Sequence, residues 1–242
     1  MSNRINQFLD MMKTFEAIDL THTMEEKMPT FPGHTKFFLN EWVSPGDPAY
    51  LSVISMGDHS GTHYDAPAHF VRDPADPNYI FCEQVPLMSL TGHALKLTFG
   101  PFGPDNSTIS AADIQAWERE NVAIAEDDIV IFDYQWAGDK WCPVDERNAF
   151  LENWPGLDES AVHYLLEKKI RVAGTDCASI DAADGAGFVF PGHFQLLCNN
   201  VLLLENLMNL DKVPNEFIFM ALPLKLKGAG ASPIRAVALV PR

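Results

Sequence analysis

The chain has 242 residues, 47% apolar and 21% charged, the proportions of a globular protein long enough to bury its own core. Its 33 Asp and Glu against 17 Lys and Arg give a net charge of −16, which repels nucleic-acid phosphates and anionic membranes. No apolar run reaches the ~18 residues of a spanning helix, and the first fifteen residues lack the apolar core of a secretion signal.

Four widely spaced cysteines (Cys82, Cys142, Cys177, Cys198) form no CxxC pair. That argues against disulfides and zinc-thiolate sites and fits a reducing cytoplasm.

In chain order, Ile5, Phe8, Leu9, Met12 and Phe15 have helical spacing and predict an amphipathic helix over 3–15. Apolar, β-branched runs predict strands at 17–21, 50–56, 94–99, 129–134, 170–175, 201–207, 217–226 and 234–240. Ser110 is an N-cap for a helix over 111–120, with Asp113 in its first turn, and Asp158 caps another through Lys168. A short helix starts near His193, just after Pro191-Gly192. Residues 99–108 and 137–155 read as loops. With no repeat and no linker, the expectation is one α/β domain with a mixed sheet.

Residues 59–69 read His59-Ser-Gly61-Thr62-His63-Tyr-Asp65-Ala-Pro67-Ala-His69, which holds three of the chain's eight histidines. Gly61 and Pro67 oppose a helix. In an extended strand His59, Gly61, His63 and Asp65 share one face, and Gly61 leaves a gap between the imidazoles. His59, His63 and Asp65 then make a ligand set for zinc, manganese or iron(II), with positions open for water. His69, past Pro67, is a candidate general acid/base; the alternatives are a fourth ligand or a hydrogen-bonding support.

Glu205 interrupts the apolar run Val201-Leu-Leu-Leu, where a carboxylate needs a cation or an exposed edge. With His193 twelve residues earlier it could complete a second metal site, Asp65 bridging the two. Asp176 and Asp181 read as turn or supporting groups. Cys177 has no adjacent base and is not read as a nucleophile. Gly185-Ala-Gly187 lacks the context of a nucleotide loop. Phe31, in the turn Phe31-Pro32-Gly33, is either packing or a pocket aromatic.

Residues 59–69 resemble the HxGTHxDxPxH signature of the cyclase family of metal-dependent hydrolases, which includes bacterial kynurenine formamidases and isatin hydrolases. Asp19-Leu-Thr-His22, Met28 to Gly33, Gly174 to Asp181, Ala221 to Lys225 and Gly230 to Arg235 resemble further family segments. Only residues 1–15 fall outside. The resemblance implies a swivelling β/β/α fold over 16–242, assembled as homodimers or homotetramers; the amphipathic pattern of residues 1–15 makes that helix a possible oligomer contact, or one that packs on its own domain. It implies His59, His63 and Asp65 as first-metal ligands, His193 and Glu205 as second-metal ligands, His69 as proton donor and acceptor, and Phe31 as a substrate contact.

Some residues depart from the pattern. His34 stands in place of the usual aspartate, Phe31 in place of a tryptophan, and Phe194 where relatives carry histidine or arginine. The segment from Glu205 to Leu210 is more like that of the isatin hydrolases, which use one manganese.

The expectation is a cytoplasmic hydrolase of a small amide C–N bond, in a cyclic amide such as isatin or an aryl formamide such as N-formylkynurenine. It would carry one or two Mn2+ or Zn2+ per chain and have a small molecule as its partner. The alternatives are an iron(II) oxygenase, read from His63, Asp65 and His193 as a facial triad, and a metal- or ligand-binding module without turnover.

Overall fold

The computed structural model describes residues 2–102, 108–144, 148–183 and 190–242. The strands, in chain order, are β1 (Phe15–Asp19), β2 (Phe38–Glu41), β3 (Ser52–Ser55), β4 (His63–Asp65), β5 (Thr91–Thr98), β6 (Thr108–Ile109) and β7 (Ile129–Asp133). They continue as β8 (Gly156–Leu157), β9 (Val172–Thr175), β10 (Leu202–Glu205), β11 (Glu216–Met220), β12 (Ala231–Pro233) and β13 (Val237–Pro241). The helices are α1 (Ser2–Met12), α2 (Ala111–Glu120), α3 (Glu159–Lys168) and α4 (Pro191–Cys198).

Nine strands form one mixed sheet in the order β1-β13-β11-β5-β7-β9-β10-β4-β12. Its centre, β5-β7-β9-β10, is parallel, and the outer strands join antiparallel. Strands β12 and β13 lie near opposite ends of that order although only residues 234–236 separate them. The sheet therefore curls until its ends meet. Backbone hydrogen bonds from Leu20 to Ala236, Ile234 to Thr62 and Met208 to Leu20 close the curl. This is the expected α/β architecture with a mixed sheet.

Alternation along the parallel strands divides the interior in two. Val130, Phe132, Ala173 and Leu203 face the helices and pack on Ile114, Trp117, Val162, Leu165 and Leu196. Ile129, Ile131, Val172, Leu202 and Leu204 face into the curl, with Tyr64, Phe217 and Phe219. Both faces are buried, which is why these strands read as unbroken apolar runs.

The two helix caps form as expected. Ser110 and Asp113 make a reciprocal capping box on α2, and the Asp158 carboxylate accepts from the Ala161 N–H on α3.

Several expected boundaries shift. The N-terminal helix stops at Met12, because Phe15 already pairs with Pro241 in the sheet. The run at 217–226 ends at Met220, ahead of Pro223, which has no N–H for a ladder. The run at 234–240 starts as a strand only at Val237, since residues 234–236 form the corner between β12 and β13. The loop at 137–155 contains short helical turns at Gly138–Lys140 and Ala149–Leu151. Gly185 and Gly187 lie outside the described residues.

The cysteines are all free. Among the described residues no helix is long and apolar enough to cross a membrane.

His93 on β5 joins Asp128 at 2.7 Å and Glu216 at 2.9 Å, and these carboxylates raise its pKa above the usual 6.5 against the opposing pull of partial burial. A raised folded pKa adds stability that is complete below the unfolded value and is lost as pH rises through the folded one. The urea midpoint of His93→Gln should fall further below the parent's at about pH 6 than at about pH 9. Equal deficits at both would refute a charged role for His93.

Candidate metal centre and its pocket

Three of the site's side chains are set by register. In the antiparallel pair of β4 and β10, His63 lies opposite Glu205, Tyr64 opposite Leu204, and Asp65 opposite Leu203. Tyr64 and Leu204 point into the curl, so His63, Asp65 and Glu205 point to the other side together. Glu205 ends a parallel strand, and the carboxyl ends of such strands are where open α/β sheets bind ligands.

His59 arrives differently from the expectation. Strand β4 begins only at His63, and Gly61 sits at φ +63°, a left-handed turn that ends strand geometry before His59. A Cβ on Gly61 would come within 3.1 Å of Met24, so the glycine serves the turn and its packing and leaves no gap between ligands. The turn is clasped by Asn206, whose Nδ2 donates to the Gly61 carbonyl at 2.8 Å, while Thr62 Oγ1 donates to the Asn206 carbonyl.

His193 is the third residue of α4. The Asp181 carboxylate accepts from the backbone N–H of Gly192 and of His193 and stands 2.6 Å from His193 Nδ1. One carboxylate thus caps a helix start, where negative charge is favoured, and aims a ring. Gly192 permits it, because a Cβ there would lie 2.8 Å from Asp181 Oδ1.

A common rule orients the rings. His59 Nδ1 meets Asp58 at 2.9 Å, His63 Nδ1 meets the Gly61 carbonyl at 2.8 Å, and His193 Nδ1 meets Asp181. With Nδ1 occupied as donor, each ring turns an Nε2 lone pair toward Asp65.

The resulting separations to Asp65 are 3.4 Å from His59, 3.5 Å from His63 and 3.4 Å from His193; Glu205 lies 3.5 Å from His63 and 3.2 Å from His193. Both Asp65 oxygens and His63 Nε2 are buried without a hydrogen-bond partner. Two atoms each ~2.1 Å from one tetrahedral ion are about 3.4 Å apart, so these edges fit a shared cation. The convergent sets are His59, Asp65 and His69, and His63, Asp65 and Glu205. Asp65 belongs to both, while His63 groups with Glu205 and His69 comes within ligand reach.

His69 breaks the orientation rule. It sits on the short turn Pro67–His69, and its Nδ1 faces His59 Nε2 at 3.2 Å. Burial, helped by the neighbouring imidazoles, pushes its pKa down to about 4. Elsewhere in the cluster burial opposes charge but loses. The imidazoles hold Asp65 well below the carboxylate range, and the Glu205 and Asp65 carboxylates lift His63 to about 9.

The cluster floors a cavity of about 400 Å³. Phe31, Phe70, Phe150 and Phe190 line its apolar wall. The Phe31 ring stands 5.9 Å from the Trp154 ring and 6.2 Å from that of Phe190. Six of the seven site residues read from the sequence line this pocket, and Asp65 is buried just behind them, within 3.5 Å of His59, His63 and His193. Asp181 carried a usable signal as an acid in a turn near His193, and Asp58 as an acid directly preceding a histidine. Phe70, Phe190 and Asn206 carried none.

A cation site of imidazoles and carboxylates beneath an apolar pocket defines a metal-dependent hydrolase. The chain belongs to the cyclase family, whose model, described as putative cyclase, matches residues 18–182. An isatin hydrolase of Roseibium aggregatum is 34% identical over 223 residues, covering 84% of this chain and 80% of that protein. A kynurenine formamidase of Paracidovorax citrulli is 29% identical over 233 residues, covering 92% and 96%. A solved isatin hydrolase bound to the product analogue thioisatinate superposes with a TM-score of 0.85 at 29% identity, covering 100% of this chain and 97% of that one. The class of activity is metal-dependent amide hydrolysis.

Asp181→Asn should weaken ion binding about 10- to 100-fold, because it loosens the ring that faces Asp65 and Glu205. Titration against a chelating dye measures it, and unchanged affinity would remove His193 from the ligand set.

Proposed function

We propose that the enzyme hydrolyses a small aromatic amide, either a cyclic one such as isatin or an aryl formamide such as N-formylkynurenine. The observation that carries this reading is Asp65, a fully buried carboxylate with both oxygens unpartnered, surrounded by imidazole nitrogens under a phenylalanine-lined pocket. The names of the relatives and the flat analogue held by the similar solved structure support it.

His59, His63 and Asp65 would hold a first Mn2+ or Zn2+, and His193 and Glu205 would complete a second position beside it. A divalent ion held there polarises an amide carbonyl and makes water acidic enough to attack it near neutral pH.

The chain's own residues supply the rest. Phe31 and its aromatic neighbours bind the flat ring and exclude water. Asp58 keeps the proton on His59 Nδ1 and so leaves its Nε2 lone pair for the ion, while the His69 ring, which lines the cavity, stays available to exchange a proton there. His69 takes a proton from the attacking water there and returns it to the departing nitrogen. The C–N bond breaks, the carbonyl carbon leaves as a carboxylate and the nitrogen as an amine.

Residues 16–242 form the hydrolase domain, to whose sheet β1 adds Phe15, and the N-terminal helix Ser2–Met12 stands ahead of it. Ile5, Phe8 and Leu9 of that helix are exposed, as are Leu39 and Ile54 of the β2–β3 hairpin. These surfaces suit a homodimer or homotetramer. Four unpaired cysteines suit the cytoplasm.

Metal analysis with isatin and N-formylkynurenine assays after reloading tests the reading. One manganese with ring opening supports the cyclic amide, and two zincs with deformylation support the formamide. Loaded protein that cleaves no amide in a broad panel sinks the proposal. His69→Gln should lower kcat by about 10²- to 10⁴-fold while the ion content stays at the parent level. Loss of the ion along with activity would make His69 a ligand.

A further inference from the structure

The pocket has one feature that amide hydrolysis does not use. Arg72 follows the ligand segment by three residues past His69 and lines the same cavity as Phe70 and Phe190. It is the only lysine or arginine among the described lining residues. The other nitrogens there belong to imidazoles and to the Asn206 amide.

Arg72 is exposed and has no ion-pair or hydrogen-bond partner among the described residues, although acids stand close by in sequence. Asp73 accepts from the Ala75 N–H and Asp76 from the Asn78 N–H, so both are turned into their own turns. Elsewhere Lys13, Lys168, Arg171 and Arg235 each pair with a carboxylate. An unpaired guanidinium over an apolar pocket keeps its planar, two-pronged donor face available for a planar anion. It also offsets locally the repulsion that a protein of this charge exerts on an anionic ligand.

We infer that Arg72 is a specificity residue that binds a carboxylate of the substrate, remote from the amide that is cleaved, so that the preferred substrates are aromatic amides that also carry a free acid. The aromatic ring lies against the phenylalanine wall, the amide faces Asp65 and its imidazoles, and the acid points out toward Arg72. This inference rests on the amide-hydrolase reading for the identity of the reacting end. Its recognition element is separate and can be read without turnover.

The experiment compares indole-3-acetate with indole-3-ethanol, a flat pair of similar size that differs in the carboxylate and offers no amide to cleave. Calorimetric titrations are made on the metal-loaded and the metal-free protein, for the parent, Arg72→Gln and Arg72→Lys. The parent should bind the acid about tenfold more tightly than the alcohol in both metal states. Arg72→Gln should bring the two near parity, and Arg72→Lys should keep part of the preference as a point charge. Added salt should erode the preference, because the contact is exposed.

Equal affinities in the parent, or a preference that survives in Arg72→Gln, overturn the inference. So does a preference that vanishes when the metal is removed, since the acid would then be bound by the ion. A protein that shows the arginine-dependent preference yet cleaves no amide would uphold the anion site and refute the hydrolase reading.

Discussion

The structure turns on a carboxylate that has no protein donor. Asp65 is wholly buried, neither of its oxygens has a hydrogen-bond partner, and such a group costs several kcal/mol unless a cation answers it. Its surroundings follow from that demand. Imidazoles surround it because they can offer lone pairs to an ion or protons to the anion. Acceptors stand behind them because a ring with Nδ1 committed has only Nε2 left to present. Asp58, the Gly61 carbonyl and Asp181 all do the same work on different backbones: a turn, a strand entry and a helix start. His69, whose Nδ1 faces another imidazole, is the member outside that pattern.

The fold keeps this cluster dry on one side and open on the other. Behind β4 and β10, Tyr64 and Leu204 are fully buried in the curl. In front, Phe31, Phe70, Phe150 and Phe190 supply an apolar wall, whose low dielectric strengthens each interaction at the floor. Arg72 sits at the wet edge, where a charge costs little to keep.

Much of this was legible in the chain because it depends on residue type. The histidine and aspartate density of 59–69, the single acid in an apolar run at Glu205, and the caps Ser110 and Asp158 each state a chemical need that few structures meet. Glu205 was readable for the same reason that Asp65 matters, since a buried charge advertises a partner. What stayed hidden depended on backbone shape or on distant pairing. Parity assigned His59 to the ligand face for the wrong reason: the chain turns at Gly61, and His59 reaches the ion site from outside the strand. Strand β12 is three residues long and pairs with a segment over 160 positions away, so nothing local marks it. The aromatic wall gathers phenylalanines from separate turns, and no spacing rule connects them.

The curl also orders assembly in time. Strand β4, which carries His63 and Asp65, pairs with β10 and β12, and β1 pairs with β13. The first ligand residues to leave the ribosome therefore have no sheet neighbours until the last part of the chain has followed them. During synthesis the parallel centre β5-β7-β9 can form by local crossovers, while the segment 59–69 waits unpaired beside it. A nascent chain released early would keep its ligand histidines on a loose strand. The ion site is thus a late checkpoint, complete only after β10 and β12 have followed β4 out of the ribosome.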